Sequence, residues 1–218
     1  MGLYTNPPAG SAVICVDGKG PVAAKLYPPR GQWAEVTHRP HYPPEYGRRG
    51  FRWLFGALNP HTGEGLLHDG QHRDSATFIE FMEKVDQWLP AGQGAVVIDN
   101  LSIHNSVQTL LWNLGHPRFY FHFLPTGAAW LNLIEGWWSI LSHRALDGPN
   151  FANSSEVRES YMNSLARWNE APTPFRWDPK GQKGAGEGVV LDVVVSIVTI
   201  VKTMLIKLGY NALKEQSA

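Results

Sequence analysis

The sequence predicts an α/β fold in which a mixed central sheet is flanked by helices. Short apolar segments of strand length occur throughout the chain and are bounded by Gly, Pro and polar residues. A helical period of apolar residues begins near residue 75 and recurs in later segments, alternating with further strands. With 218 residues, 43% of them apolar and 17% charged, the chain can bury one full core.

The first part of the chain predicts a strand and a hairpin. A strand over residues 11–17 follows a lead segment at 1–10. Residues 18–50 are basic and interrupted too often by proline to form a long helix, so we expect a loop with one optional short strand at 22–26. The strands of the hairpin, 51–58 and 65–68, flank a turn-rich link.

The second part predicts helices and two more strands. Asp74 and Ser75 can cap a helix that reaches residue 89, where Pro90 ends it. The later elements are a buried strand at 95–99, a short helix at 105–114, a strand at 119–124, a helix at 132–146 ended by Gly148 and Pro149, and a helix at 155–168. This order is that of a ribonuclease H-like fold with three antiparallel strands plus two parallel strands.

Three acidic residues stand at the edges of apolar segments. Asp17 follows residues 12–16, Asp99 follows residues 95–98, and Glu135 lies in the first turn of the helix at 132–146. A carboxylate at the end of a buried strand costs stability unless it is paired or bound to metal, so the threefold pattern indicates a functional triad. In the predicted fold the first and fourth strands are neighbours, which would bring Asp17 beside Asp99. The alternative is that the acids are structural caps.

Charge is segregated along the chain although the net charge is zero. Seven basic and two acidic residues lie in 19–52, whereas two basic and seven acidic residues lie in 53–104. The basic segment is suited to hold nucleic-acid phosphates and the acidic one to hold cations. Ordinary clustering of surface charge is the alternative. The candidate phosphate-binding residues are Arg39, Arg48, Arg49 and Arg52.

Several ordered motifs resemble those of a known family. Residues 99–104, Asp-Asn-Leu-Ser-Ile-His, and residues 123–138, which contain Glu135, are similar to the second half of the DDE-superfamily catalytic domain in mariner-like transposases of bacterial insertion sequences. The interval of 36 positions from Asp99 to Glu135 suits the short spacing of that family. Residues 16–21 resemble its first-aspartate motif, residues 46–50 its basic stretch, and residues 174–177 the end of its domain.

The resemblance implies metal-dependent DNA cleavage and strand transfer during transposition. Asp17, Asp99 and Glu135 would be both the catalytic residues and the ligands of Mg²⁺, with Mn²⁺ as a substitute. The lack of clustered Cys and His argues against zinc. The implied partners are transposon ends and target DNA, together with a second copy of the chain or a helix-turn-helix partner region. A bacterial, cytoplasmic and nucleoid-associated protein is expected, with no membrane partner.

Further side chains are candidates for DNA contact. His104 follows Asp99 by five positions and would touch DNA or tune the site, with a surface histidine at a helix start as the alternative. Trp130 is suited to stack on bases. Trp137 and Trp138 share that possibility, but helical spacing favours core packing for at least one of them. Asn132, in the Glu135 motif, completes the predicted DNA-binding set.

Three departures from the family pattern qualify these expectations. Gly18 stands where many relatives have Glu, so a second acid beside Asp17 is missing. The usual preceding helix-turn-helix region is absent, which leaves a silent remnant or a regulatory DNA-binding or dimerising protein as the alternative function. We expect a catalytic domain at 11–178 and, at 179–218, a Gly/Lys-rich linker with an apolar helical tail of unknown role. That tail would pack on the body or on a second copy, or it is an unrelated ending.

Overall fold

A five-stranded sheet with the order β3-β2-β1-β4-β5 lies at the centre of the fold. This computed structural model describes residues 2–25, 49–147 and 150–176. The predictions for Arg39, Arg48, most of the basic excursion, and the linker and tail at 179–218 lie outside the described residues. The elements in chain order are α1 (Gly2–Thr5), β1 (Ser11–Ala23), β2 (Phe51–Leu58), β3 (Gly65–Gly70), α2 (Ser75–Trp88), β4 (Gln93–Ile98), α3 (Val107–Gly115), β5 (Phe119–Phe123), α4 (Ile134–Leu146) and α5 (Ser154–Glu170).

The pairing of the strands confirms the predicted mixed sheet. β1 pairs antiparallel with β2, and β2 pairs antiparallel with β3. On its other side β1 pairs in parallel with β4, which pairs in parallel with β5. The first and fourth strands are therefore neighbours, as the element order predicted.

β1 is longer than the sequence predicted, and the expected end at residue 17 is wrong. Asp17 pairs with Gly56 of β2, and the strand continues to Ala23 across an irregularity between Lys19 and Val22. Pro21 lies within this continuation of the strand. A proline is tolerated at such an irregularity because no ladder hydrogen bond is required of its nitrogen there. The predicted excursion at 18–50 therefore begins as strand.

Two hydrophobic cores lie on the two faces of the sheet. Alternate residues of β1 contribute side chains to the two cores, because successive side chains of a strand point to opposite faces. Val13 and Cys15 pack with α4 and α5, whereas Ile14 and Val16 pack with α2 and α3. Helices therefore cover both faces. Odd-numbered residues at 13–16 of β1 pack against α4 and α5, and even-numbered ones pack against α2 and α3.

The tryptophans of α4 anchor that helix to the sheet. Trp137 and Trp138 are both buried. Two glycines make room for them: a Cβ added at Gly56 would lie 2.6 Å from the Trp138 ring, and one added at Gly65 would collide with Trp137. Core packing, favoured by the sequence for at least one of the pair, holds for both indoles, so neither is available to stack on a base in this structure.

The other helix predictions differ from the structure only at their ends. The Asp74 side chain caps α2 by accepting a hydrogen bond of 2.9 Å from the Thr77 amide. α4 begins two residues later than predicted, after a 3₁₀ turn at Ala129–Leu131. α1 was not predicted; its Tyr4 hydroxyl donates to the Leu131 carbonyl at 3.0 Å. Among the described residues, no helix combines the length and apolarity needed to cross a membrane.

Candidate active site

The C-terminal ends of β1, β3 and β4 lie at one edge of the sheet. β1 and β4 are parallel, and β3 runs in the same direction because β2 is antiparallel to both of its neighbours. The parallel ladder ends at the pair Cys15–Val97, and Asp17 and Asp99 each follow two residues later. Strand parity places Asp17 on the face covered by α4. Topology thus brings two distant aspartates to the same edge.

Glu135 approaches this edge from the first turn of α4. Asn132, just before the helix, fixes its position: the Asn132 side-chain amide donates to the carbonyl of Val16 at 3.0 Å, and the Glu135 amide donates to the carbonyl of Asn132 at 3.1 Å. Val16 directly precedes Asp17. The start of α4 is therefore bound to the strand that carries the first aspartate, and the exposed Glu135 side chain lies close enough for its charge to act on Asp17.

Of the three acids, Asp17 has the most strongly shifted pKa. Burial raises the pKa of Asp17 to about 7, and the negative charges of Glu135 and Asp99 add to the rise. The amide of Gly18 and the charge of Arg73 act in the opposite direction on this pKa. Mutual repulsion among the three carboxylates favours binding of a positive charge at this edge.

Asp99 is held in its ionised form by its neighbours. Burial alone would raise the pKa of Asp99, but a hydrogen bond and charge from His104, the Leu101 amide and the charge of Arg73 together lower it. His104 donates from Nδ1 to Asp99 Oδ1 at 2.7 Å. The His104 ring is fully buried and packs on Phe78 of α2, with ring centroids 4.5 Å apart. His104 therefore orients the aspartate from inside the fold.

Arg73 is a site residue that the sequence reasoning missed. It follows β3 and precedes the cap of α2, and its Nε lies 3.7 Å from where a Cβ on Gly18 would be. Its guanidinium carbon lies 5.3 Å from the centre of the Trp53 ring. The available signal was topological: a basic residue three positions after β3 comes to the edge where β4 ends, beside Gly18 of β1. The position of Arg73 at this edge follows from the strand directions and not from any local sequence pattern.

The carboxylates of Asp17, Asp99 and Glu135 are the type of ligand that a hard divalent cation prefers, but their oxygens do not all lie within 4.8 Å of one another. Ionised carboxylate oxygens are preferred ligands of Mg²⁺ and Mn²⁺, and the pKa of Asp17 is raised mainly by burial and further by the charges of Glu135 and Asp99. However, within the described part of the chain, the group of three whose ligand atoms all lie within 4.8 Å of one another is Glu83, Asp86 and His116. That group belongs to α2 and the end of α3, away from the aspartate edge.

The Glu83 group is occupied by contacts within the protein. Glu83 accepts a hydrogen bond of 2.6 Å from the Trp112 indole, and His116 stacks on the Trp112 ring with centroids 4.0 Å apart. Arg118 binds Asp86 through Nε at 2.6 Å. These carboxylates already have a cation and donors, so the geometry assigns them to packing between α2 and α3.

The remaining predicted DNA-binding residues divide between surface and interior. Trp130 is about half exposed on the 3₁₀ turn, and Arg49 and Arg52 are partly buried at the start of β2. His104 and Asn132 are buried and bound to Asp99 and Val16, which corrects the expectation that their side chains reach DNA directly. Their contacts make them positioning residues for the acids.

One family model and one curated protein match this chain. The family described as DDE superfamily endonuclease matches residues 12–158. An insertion element IS630 uncharacterized 39 kDa protein of Shigella sonnei is 30% identical over 90 residues, 41% of this chain and 26% of that protein. The chain thus matches about a quarter of the length of this relative.

Two solved structures are similar in fold at low sequence identity. The intasome of simian T-cell lymphotropic virus, solved in complex with the PP2A regulatory subunit B56 gamma, superposes with a TM-score of 0.53 and 12% identity over 80% of this chain and 56% of that chain. The catalytic core domain of BIV integrase gives a TM-score of 0.49 and 10% identity over 76% of this chain and 88% of that chain. The fold is ribonuclease H-like, as the element order predicted.

Proposed function

The chain belongs to the DDE superfamily of endonucleases, and we propose that it is the catalytic domain of a transposase that cuts and joins DNA strands with Asp17, Asp99 and Glu135. The observation that supports this proposal is that three sequence-distant acids lie near one sheet edge, where burial, together with the charges of Glu135 and Asp99, raises the pKa of Asp17 to about 7. Such an arrangement is costly for a structural role and suits a cation site.

The proposed metal ligands are prepared in different ways by the fold. Asp99 is ionised and oriented by His104, Asp17 must lose its proton to bind a cation, and Glu135 is fixed by the anchored start of α4. A bound Mg²⁺ or Mn²⁺ would supply Lewis-acid stabilisation of the charge that builds on the phosphate. Because Asp17 titrates near neutrality, we expect binding to be stronger above pH 7 than below it.

The proposed reaction has two phosphoryl-transfer steps. In the first, a water oxygen attacks phosphorus and the bond from phosphorus to the 3′-oxygen breaks, which leaves a 3′-hydroxyl on the transposon end. In the second, that hydroxyl attacks a phosphodiester of target DNA and displaces a new 3′-hydroxyl. Both steps need alignment of the entering and leaving oxygens more than covalent chemistry by the protein.

The DNA path in this proposal follows the edge that holds the acids. Arg49, Arg52 and the half-exposed Trp130 are proposed contacts, the arginines to phosphates and the indole to bases. Arg39 and Arg48 extend the set in the sequence. Transposon ends, target DNA, and a second copy or a helix-turn-helix partner are the proposed partners, in the cytoplasm of a bacterium and at its nucleoid.

Nicking of supercoiled plasmid in Mn²⁺ tests the proposal. The full chain should nick and Asp99→Asn should not, because the near-isosteric amide removes the charge that a hard cation needs. Asp86→Asn is the matched control, since it removes an acid from the Glu83 group and should nick like the parent. A parent chain that binds DNA without nicking would favour the silent or regulatory alternative. Unchanged nicking by Asp99→Asn would overturn the assignment of Asp99.

A further inference from the structure

Arg73 stands out among the basic residues as a guanidinium inside the acidic edge. It enters from the loop between β3 and α2 and lies beside Gly18, the residue that follows Asp17, on the side of the sheet that α2 covers. Its charge acts on both Asp17 and Asp99. Arg73 thus belongs to the site by position although it cannot be a metal ligand.

The guanidinium is held in place without an anion bound to it. The Trp53 ring lies 5.3 Å from its central carbon, a distance at which a cation is attracted to the face of an indole. Nε is buried and has no hydrogen-bond partner. Among the described residues, no carboxylate lies within 4.0 Å of the Arg73 nitrogens, in contrast to Arg118 and Arg158, which each bind an aspartate at 2.7 Å or less.

A buried, unpartnered donor is costly, and a fixed guanidinium with free donors is a good receptor for one class of ligand. Arginine presents planar donors that match the oxygens of a phosphate, and it stays charged at all relevant pH values. Gly18 lies beside this guanidinium, and a Cβ there would be in ordinary contact with Arg73 Nε at 3.7 Å and with Phe55 at 3.6 Å. A longer side chain at position 18 would extend into the space beside the guanidinium.

We propose that Arg73 binds a non-bridging oxygen of the DNA phosphate on which the three acids act, and so is a further catalytic residue of this site. The inference rests on the proposed function, and it adds the substrate contact that the carboxylates cannot make. Negative charge increases on those oxygens during phosphoryl transfer, so a preorganised donor lowers the barrier. The Trp53 ring would keep the guanidinium aimed while DNA enters and leaves.

The test compares Arg73→Gln and Arg73→Lys with Arg167→Gln in the full chain. Arg167 is an exposed arginine on α5, whose end packs at the β2–β3 turn away from the aspartates. At saturating DNA and Mn²⁺, Arg73→Gln should nick about 100-fold more slowly, the usual effect of losing one transition-state donor. Arg73→Lys keeps the charge but loses the planar fork, so it should fall between Gln and the parent. Arg167→Gln should equal the parent.

Two measurements without turnover separate a substrate contact from a structural role. Calorimetric Mn²⁺ affinity of Arg73→Gln should be unchanged or higher, because a cation beside the ligands has been removed. In Ca²⁺, the slope of log affinity for duplex DNA against log salt should fall by about 0.9, as for one lost phosphate contact.

Parent-like nicking by Arg73→Gln, or loss of Mn²⁺ binding by both Arg73 variants, would overturn the inference while the parent still cuts. A parent that neither binds Mn²⁺ nor nicks overturns the proposed function and this inference with it.

Discussion

Two groups of acids in this molecule differ in how their charge is balanced. At one group, Glu83 and Asp86 lie close to His116, and Arg118 and the Trp112 indole bind their oxygens. At the other, Asp17, Asp99 and Glu135 are farther apart, yet they repel one another enough to help raise the pKa of Asp17 to about 7. Both carboxylates of the tighter group have a side-chain donor or cation on their oxygens, whereas in the looser group only Asp99 has such a partner among the described residues.

Proximity of acids alone therefore does not identify a cation site. A carboxylate that already binds a guanidinium must lose that partner before it can bind a metal. The net gain in binding free energy is therefore small. Acids that have no bound cation keep more of their interaction free energy with an added one, and here Asp17 and Glu135 have no ion-pair partner among the described residues. By this criterion the aspartate edge is the stronger candidate, and His104 and Asn132 act there by orienting acids and not by neutralising all three.

The largest expected contrast is in activity. Glu135→Gln should reduce Mn²⁺-dependent nicking by roughly 10³-fold, because several kcal/mol of stabilisation of the transition state depend on the metal. Glu83→Gln makes the same chemical change in the other group and should stay within about twofold of the parent, as expected for a packing residue. Equal losses in the two variants would remove the distinction between the groups.

A second contrast concerns stability without metal. The pKa of Asp17 is about 7 in the folded chain and near 3.8 when unfolded, so the native state binds more protons between these values and loses stability as pH rises through them. At pH 8 in EDTA, Asp17→Asn should therefore stabilise the protein, by at most about 4 kcal/mol. Asp86→Asn should destabilise it by about 1 kcal/mol, because Arg118 loses its anion.

Urea unfolding monitored by tryptophan fluorescence would measure both effects. The advantage of Asp17→Asn should be largest at pH 8 and should shrink as the pH falls from 7 toward 4, where the parent takes up the proton that relieves the cost. Saturating Mn²⁺ should reverse the order of parent and variant at pH 8. A destabilised Asp17→Asn at pH 8 in EDTA would show that the charge on Asp17 is already compensated.

The sequence was sufficient for the elements that carry the acids. Strand 95–99, the helix containing Glu135 and the neighbouring first and fourth strands all follow from local apolar patterns and element order. It could not reveal that β1 continues past Asp17, because that depends on pairing with β2. The inward hydrogen bonds of His104 and Asn132 and the arrival of Arg73 also join separate elements, and no local pattern encodes them.

The smallest expected effect concerns the basic segment, which tests whether DNA approaches the looser group. Neutralising Arg48, Arg49 and Arg52 together should weaken binding to any duplex and lower the salt slope by about 0.9 for each lost phosphate contact. Because these side chains would read the backbone, the loss should be equal for an element end and for random DNA. Arg158→Gln, which breaks a surface pair with Asp69, is the control and should keep the slope.

Calorimetric titration of Mn²⁺ into the full chain at pH 8 tests the central claim most directly. The parent should bind Mn²⁺, Asp17→Asn and Asp99→Asn should each lose most of that binding, and Glu83→Gln and Asp86→Asn should bind like the parent. Proton release on binding should increase as the pH is lowered toward 7, since Asp17 gives up its proton to the cation. Binding that survives in the Asp17 and Asp99 variants but disappears in Asp86→Asn would contradict the account and place the cation site at the Glu83 group.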